Sequence, residues 1–279
     1  MVNAAPLRPG SFHGKPLGQR RLGNRTLVES AYPPGVSIPT HVHSRAFFYL
    51  VLDGVCFETF DGSKRTAQPF TLVYHPAGSA HSDKWGVGGG RCFSFEISQR
   101  ELGRAAAIAP VVDHSIDIGI GDAVWLAARL YSEFRRPDNV SHIAVEELVW
   151  GVLAEMAQGR RLPQDQPPPW LVRARELLHD GFTERLLLSD VAESAGVHPM
   201  HLCRAFRKYY GHTIGNYIRE LRLVSASRKL ICSPEPIVEI ALDAGYSDQS
   251  HFTNSFRRRT GMTPVAFRRS LCRKIPNLP

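Results

Sequence analysis

The chain has 279 residues, of which 43% are hydrophobic and 22% are charged, and its formal net charge is +8. This composition excludes a fibrous or wholly disordered chain, and the length suggests two domains. No stretch approaches the roughly 18 consecutive apolar residues of a membrane helix, and the Pro- and Gly-rich N-terminus lacks the apolar core of a secretion signal. Five dispersed cysteines without CxxC spacing favour a reducing compartment. We therefore expect a cytoplasmic protein with no membrane partner.

The positive charge is concentrated in the C-terminal part of the chain. Residues 1–169 carry 17 Lys/Arg against 16 Asp/Glu, whereas residues 170–279 carry 17 against 10. A basic segment beside a nearly neutral one indicates a polyanion partner for the basic segment only. Charge alone leaves open a basic domain without such a partner.

Short apolar runs between residues 20 and 97 predict a β domain. Four of them are rich in aromatic and β-branched residues: AFFYLVL (46–52), VCFETF (55–60), FTLVYH (70–75) and RCFSFEI (91–97). Turn-forming residues separate the runs, at positions 53–54, 61–62, 77–79 and 88–90. Strands of this length and spacing favour a sandwich or a small barrel for residues 1–98.

Two segments of this β domain contain regularly placed histidines. GVSIPTHVHSRAFFYLVLDG (35–54) carries His41 and His43, and HPAGSAH (75–81) ends at His81. The H-x-H spacing predicts that the first two imidazoles lie on one face of one strand. Together the segments resemble the two motifs of cupins, which are small β-barrels.

The chain departs from the cupin pattern at two positions. Phe47 or Phe48 stands where the first motif has its glutamate, and Trp85 stands where the second would have asparagine. Without the carboxylate, the three histidines offer at best a three-His metal site.

We favour a different use of these histidines, a pocket for a small organic effector, because barrels of this size commonly hold one small ligand. We expect no bound metal and no other cofactor. The alternatives are that His41, His43 and His81 bind a metal, or that they only pack and hydrogen-bond inside the domain.

Two amphipathic helices and a linker are predicted next. Apolar residues keep helical spacing from Ala127 to Phe134 and from Val145 to Met156. This periodicity is compatible both with helices that cap the β domain and with a dimer seam. Residues 161–169 contain four prolines and predict a stiffened linker.

One segment occurs twice after the linker. Residues 191–196 (VAESAG) correspond to 240–245 (IALDAG) at an offset of 49, and residues 201–208 (HLCRAFRK) correspond to 251–258 (HFTNSFRR) at an offset of 50. Each copy reads as a short helix, a glycine turn, a second helix and a glycine stop, which is the plan of a helix-turn-helix. We place the two motifs at 189–209 and 236–259, joined by a single helix over 213–232.

The second helix of each copy carries polar and basic residues away from its apolar stripe. They are Met200, Cys203, Arg204, Arg207 and Lys208 in the first copy, and Gln249, Ser250, Asn254, Arg257 and Arg258 in the second. The start of such a helix meets base edges in a major groove, and basic residues toward its end neutralise phosphates. The arginine run 257–259 lies where phosphates would flank the helix, although it also complements the helix dipole.

Residues 170–279 as a whole resemble the DNA-binding domain of AraC/XylS-type transcription regulators. GYSDQSHFTNSFRRRTGMTPVAFRR (245–269) is similar to that family's signature around its second helix-turn-helix. Carried over by position, the resemblance makes Met200, Cys203, Arg204, Gln249, Ser250 and Asn254 the base-facing residues. Family members often carry a basic residue where Asn254 stands, and asparagine can pair with adenine instead.

We therefore expect an α+β chain: an N-terminal cupin-like β-barrel followed by helices, and a C-terminal all-α domain with two helix-turn-helix motifs. The assignment is effector sensing for 1–98, dimerisation or capping for 99–160, a linker at 161–169 and DNA binding for 170–279.

The expected function is effector-responsive transcription activation by a homodimer that contacts double-stranded promoter DNA and RNA polymerase. No GxSxG or phosphate-cradling motif supports catalysis, so we expect no enzyme. Two alternatives remain open: a metal-dependent cupin enzyme fused to a DNA-binding tail, and a non-specific DNA-binding protein.

Overall fold

The computed structural model describes residues 6–23, 25–107, 113–136, 141–159 and 165–272. The chain divides into two compact units, one formed by residues 1–157 with 268–279 and the other by residues 158–267. Part of the predicted linker, residues 161–164, lies outside the described residues. Within the described ranges, no helix combines the length and apolar character required to cross a bilayer.

The first unit contains an antiparallel sheet of eight strands in its described residues. They are β1 (Lys15–Leu22), β2 (Arg25–Tyr32), β3 (Ser37–His41), β4 (Ala46–Phe60), β5 (Ser63–Ala67), β6 (Leu72–His75), β7 (His81–Ile97) and β8 (Ile116–Ile118). Hydrogen-bonded neighbours follow the order β1-β2-β7-β4-β6-β8, with β3 added to β7 and β5 added to β4.

The long strands β4 and β7 correct two of the predicted turns. The chain continues as strand through residues 53–54 and 88–90, where the register between β4 and β7 shifts instead of reversing. Gly54 has a φ of +76°, and a β-carbon added there would overlap the carbonyl oxygen of Gly89. These glycines therefore permit close approach of two strands, whereas the predicted turns at 61–62 and 77–79 are confirmed.

Three helices and one unexpected strand follow the main part of the sheet. The helices are α1 (Gln99–Ala106), α2 (Asp122–Arg135) and α3 (Ser141–Gly159), and β8 lies between α1 and α2. The region predicted as helical, 99–160, therefore also contributes a strand, which pairs with β6.

The helix α2 packs on the sheet through aromatic side chains. The Phe93 ring lies 5.2 Å from both the Tyr131 and the Phe134 rings, and Trp125 packs edge-on against Phe70 at 4.7 Å. Such contacts are those of a capping helix. A dimer seam on this region stays a prediction.

The C-terminal part of the chain is helical, as expected. Its helices are α4 (Pro169–Gly181), α5 (Leu188–Ser194), α6 (Pro199–Tyr210), α7 (Ile214–Cys232), α8 (Ile237–Asp243), α9 (Gln249–Thr260) and α10 (Pro264–Leu271). The predicted single helix over 213–232 is confirmed as α7, and the α+β fold class with two helix-turn-helix motifs is confirmed as well.

The duplication in the sequence is a duplication of structure. Both bounds of α5 and α8 differ by 49 residues, and both bounds of α6 and α9 differ by 50. The glycines that end α6 and α9, Gly211 and Gly261, have the same φ of +74°, which is the left-handed conformation that a helix-terminating glycine adopts.

Aromatic packing repeats at the same offset. The Phe206 ring lies edge-on to Tyr217 at 5.1 Å, and the Phe256 ring lies edge-on to Phe267 at 5.0 Å. Both phenylalanines are fully buried. Edge-to-face pairs stabilise beyond the area that they bury, so each phenylalanine fixes its helix to the helix that follows.

We expect Phe206→Ala and Phe256→Ala each to lower the free energy of unfolding by about 3–5 kcal/mol, because each leaves a cavity in a small helical core. Urea unfolding followed by far-ultraviolet circular dichroism measures the change. Lys208→Ala is the control, since this exposed side chain should alter stability by no more than about 0.5 kcal/mol. An equal effect of all three substitutions would contradict the duplicated core.

Candidate nucleic-acid interface and buried histidine cluster

The first recognition helix, α6, presents its predicted base-facing residues on its outer side. Met200 is 56% exposed, Arg204 is exposed and Cys203 is half-buried. Leu202 and Phe206 on the opposite side are fully buried. The helix therefore cannot rotate without exposing its apolar anchors, and the outward position of Arg204 is fixed by packing.

A concave surface of about 600 Å³ lies beside this helix and contains residues that the sequence analysis missed. Trp170 of α4 packs edge-on against His201 at 5.1 Å, next to Arg204 and Lys208. Lys208 Nζ lies 5.3 Å above the Tyr209 ring. The repetition of His201 as His251 in the second copy could have indicated a role for this histidine. Nothing in the sequence placed Trp170 beside α6.

The second recognition helix, α9, shows the same division of faces. Its predicted base-facing residues Gln249, Ser250 and Asn254 are exposed, as are Arg257 and Arg258 toward its end. Asn254, Arg257 and Arg258 share a concave surface with His251. The four predicted phosphate-contacting residues, which include Arg207 and Lys208 of α6, are all exposed.

Arg259 differs from the two arginines that precede it. Its Nη2 donates to Glu220 Oε2 at 3.2 Å, and its Nε lies 2.7 Å from Glu220 Oε1. The two side chains are only 21% and 13% exposed. The run 257–259 is therefore divided, because Arg259 ties the second recognition helix to α7 whereas Arg257 and Arg258 face solvent.

The two recognition helices also begin with different caps. Asp248 Oδ1 accepts a hydrogen bond of 2.7 Å from the His251 amide, and this bond, helped by Ser247, lowers the pKa of the Asp248 carboxyl. At the equivalent place His198 Nδ1 accepts from the Met200 amide at 3.2 Å. The second helix therefore begins with a negative charge that the first helix lacks.

The interior of the β unit holds the second cluster of interest. His41, His43 and His81 are buried, and the His41 ring lies 4.2 Å from the His81 ring and 5.2 Å from the His43 ring. The prediction that His41 and His43 share a strand is wrong, because β3 ends at His41 and His43 pairs with Leu7 in an isolated bridge.

Burial keeps these three imidazoles neutral. It lowers the pKa of His43 to about 3 and holds the pKa values of His41 and His81 below their ordinary value, with neighbouring histidines adding to the effect. His41 Nδ1 lies 3.0 Å from the Pro39 carbonyl oxygen, and His81 Nδ1 lies 3.3 Å from that of Ser79. Both neutral rings thus keep Nε2 as the unprotonated nitrogen.

The set that the cupin resemblance assigns to a metal fits poorly. Of the two phenylalanines at the motif's glutamate position, Phe47 has its ring 4.3 Å from the His43 ring. Phe12 packs on the same histidine at 5.2 Å. An aromatic wall therefore stands where the motif would supply its anionic ligand.

The internal space beside these histidines measures only about 30 Å³. One water needs about 10–15 Å³ on this measure, whereas drug-sized ligands occupy pockets of roughly 300–1,000 Å³. In this conformation that space has room for about two waters but not for an organic effector of ordinary size.

Sequence reasoning missed a neighbouring buried group built on Glu58 and His75. Both side chains are fully buried, and Glu58 Oε1 lies 2.6 Å from His75 Nε2. Tyr49 Oη donates to Glu58 Oε2 at 3.2 Å. The burial of Glu58 could have been predicted from the strand alternation in residues 55–60, which places position 58 on the same face as the buried Cys56.

Comparisons with known proteins agree with the C-terminal geometry. A helix-turn-helix domain family matches residues 191–270. Regulatory protein SoxS of Salmonella typhimurium is 35% identical over 96 residues, which cover 34% of this chain and 90% of SoxS. The bifunctional transcriptional activator/DNA repair enzyme AdaA of Bacillus subtilis is 33% identical over 99 residues, 36% of this chain and 47% of AdaA.

The Right origin-binding protein of Escherichia coli is 40% identical over 93 residues, which cover 33% of this chain and 32% of that protein. The chain thus spans about half or less of the length of these last two relatives.

Two exposed recognition helices on duplicated bihelical units define a helix-turn-helix protein of the DNA-binding class. The match to SoxS covers nearly the whole length of that relative, so the family within this class can be stated. The chain belongs to the AraC/XylS-type family of transcription regulators.

We expect Arg259→Met and Glu220→Gln to be coupled energetically by about 1–3 kcal/mol in a double-mutant cycle of unfolding free energies, because the pair is charged and mostly buried. Urea unfolding of both single variants and the double variant measures the coupling. Arg257→Met combined with Glu220→Gln is the matched control, and should show none. Equal coupling of Arg257 and Arg259 to Glu220 would rule out a specific contact between Arg259 and Glu220.

Proposed function

We propose that the chain is a sequence-specific transcription regulator whose two helix-turn-helix units bind promoter DNA. The observation that carries this proposal is the repeated geometry of α6 and α9, each with a fully buried phenylalanine on one side and exposed polar and basic residues on the other. The name of AdaA describes it as a transcriptional activator, which supports activation here.

The start of each recognition helix is proposed to read bases. Arg204 suits a guanine edge, since arginine donates two hydrogen bonds to O6 and N7. Met200 and Cys203 offer mainly apolar contact, for instance with a thymine methyl group. In the second helix Asn254, with Gln249 and Ser250, suits adenine, because amide side chains pair with its N6 and N7.

The ends of the helices are proposed to bind phosphates. Arg207 and Lys208 of α6 and Arg257 and Arg258 of α9 are exposed cations, and each cation that neutralises a phosphate releases counterions. The helix α7, which joins the two helix-turn-helix motifs, has 19 residues and a length of roughly 29 Å. A stiff connector of this kind suits recognition helices in successive major grooves, about 34 Å apart.

The remaining partners are part of the proposal. We propose a homodimer that contacts RNA polymerase and whose β unit responds to a small effector, in the cytoplasm. What supports a separate role for the β unit is its own histidine-lined interior, although an effector of ordinary size needs more space than the volume of about 30 Å³ found in this conformation. We propose no enzymatic activity, because the chain contains no nucleophile motif of a known type.

We expect Arg204→Ala to remove about 1–3 kcal/mol of discrimination at one base pair, because a base-edge contact is lost. Competition binding at fixed salt against operator variants measures it, once bound sites have been mapped across the genome. Uniform affinity of the unaltered protein for all DNA would instead indicate a non-specific binder.

We expect Arg257→Ala to weaken binding to every sequence alike and to reduce the salt slope by about one, because a phosphate contact is lost. Affinities at several salt concentrations measure the slope. Arg259→Met is the matched control, since this side chain is engaged by Glu220 and should leave the slope unchanged. Identical behaviour of Arg204→Ala and Arg257→Ala would refute the division into base-reading and phosphate-binding residues.

A further inference from the structure

We propose that the β unit binds a divalent transition-metal ion through Glu58, His75 and His81. This inference does not rest on the proposed function, because it concerns the interior of the β unit alone. Two of its three ligands, Glu58 and His75, lie outside the positions that the cupin motifs assign.

The three side chains converge from three strands. Glu58 lies in β4, His75 ends β6 and His81 begins β7. Each offers one ligand atom within 4.8 Å of the other two, and all three side chains are buried. Convergence of this kind is dictated by the strand register, which pairs Phe60 with His81 and Phe47 with His75.

The outer atom of each ligand is already held. His75 Nδ1 lies 2.7 Å from Ser115 Oγ, and His81 Nδ1 lies 3.3 Å from the Ser79 carbonyl oxygen. Glu58 Oε2 accepts from Tyr49 Oη at 3.2 Å and lies 3.2 Å from Arg65 Nε. Outer contacts of this kind orient metal ligands and fix the histidine tautomer.

The inner atoms of the carboxylate and of His75 face only each other, at ion-pair distance. Glu58 Oε1 and His75 Nε2 are fully buried, and neither makes a hydrogen bond of acceptable geometry although only 2.6 Å separates them. Buried polar atoms are nearly always satisfied, so such a pair requires an explanation. A cation bound by both atoms would satisfy them, together with the Nε2 of His81.

The donor set indicates the chemical class of the ion. Two imidazoles and one carboxylate bind zinc in hydrolases and iron(II) in oxygenases. Of the three ligands only His81 lines the internal space of about 30 Å³, which has room for about two waters.

A site at His41, His43 and His81 would compete for the same ion. His81 can serve only one position, because its Nδ1 is directed at the Ser79 carbonyl oxygen. The three-histidine set has no carboxylate, and Phe47 packs against His43 in its place. Asp83 also lines this interior, but among the described residues the group that brings a carboxylate within ligand distance of two histidines is Glu58 with His75 and His81, which favours the position beside His75.

The full-length protein, stripped of metal with a chelator, is titrated with Co²⁺ and followed by its visible absorption, with Zn²⁺ as competitor. We expect one ion per chain, an absorption band of a nitrogen- and oxygen-ligated cobalt centre, and an upward shift of the thermal midpoint. Glu58→Gln and His75→Gln should each weaken binding at least about tenfold. His142→Gln, an exposed histidine on α3, is the matched control and should bind like the unaltered chain.

Circular dichroism establishes whether each variant is folded. If Glu58→Gln does not fold, the test depends on His75→Gln. His43→Gln separates the two positions. The proposal predicts that His43→Gln weakens metal binding by no more than about twofold. Loss of binding in His43→Gln with retention in Glu58→Gln would move the ion to the three-histidine set and overturn the proposal. So would the absence of Co²⁺ and Zn²⁺ binding above that of nonspecific surface sites.

Discussion

The orientation of each recognition helix depends on one buried aromatic contact. Phe206 packs edge-on against Tyr217, and Phe256 packs edge-on against Phe267. Because these rings occupy one side of a helix whose period is 3.6 residues, a side chain two positions before each ring lies on the opposite side and faces solvent. Arg204 and Asn254 are outward for this reason. The surface that we propose to read DNA is thus a consequence of core packing.

The two copies keep the same core and differ where they contact their surroundings. Position 259 is an arginine that pairs with Glu220, whereas the equivalent position 209 is a tyrosine beneath Lys208. The caps differ as well, since a carboxylate begins α9 and an imidazole begins α6. The first helix-turn-helix therefore offers an aromatic and basic surface. The second offers a polar surface, and its recognition helix is held against α7 by the Arg259–Glu220 pair. This difference is what two half-sites of unequal sequence would require.

In the β unit a carboxylate enters the interior from a position that the cupin motifs do not assign. An aromatic ring fills the glutamate position of the cupin motif, yet another carboxylate, Glu58, enters the same interior from β4. Desolvation of several histidines and of Glu58 is costly unless their polar atoms are satisfied. The outer contacts of Ser115, Tyr49 and Arg65 meet part of that requirement. A cation would meet the rest.

Local patterns in the sequence were sufficient for the helical features of the C-terminal part of the chain. The duplication, the single helix over 213–232 and the exposed faces of α6 and α9 all follow from helical periodicity and glycine stops. The predicted turns at 53–54 and 88–90 failed, because glycine marks close strand approach as readily as reversal. Trp170 beside His201, Arg259 on Glu220 and the meeting of Glu58 with His75 were decided only by tertiary structure. Each joins residues from separate elements, and their proximity depends on packing and strand register, which no local pattern encodes.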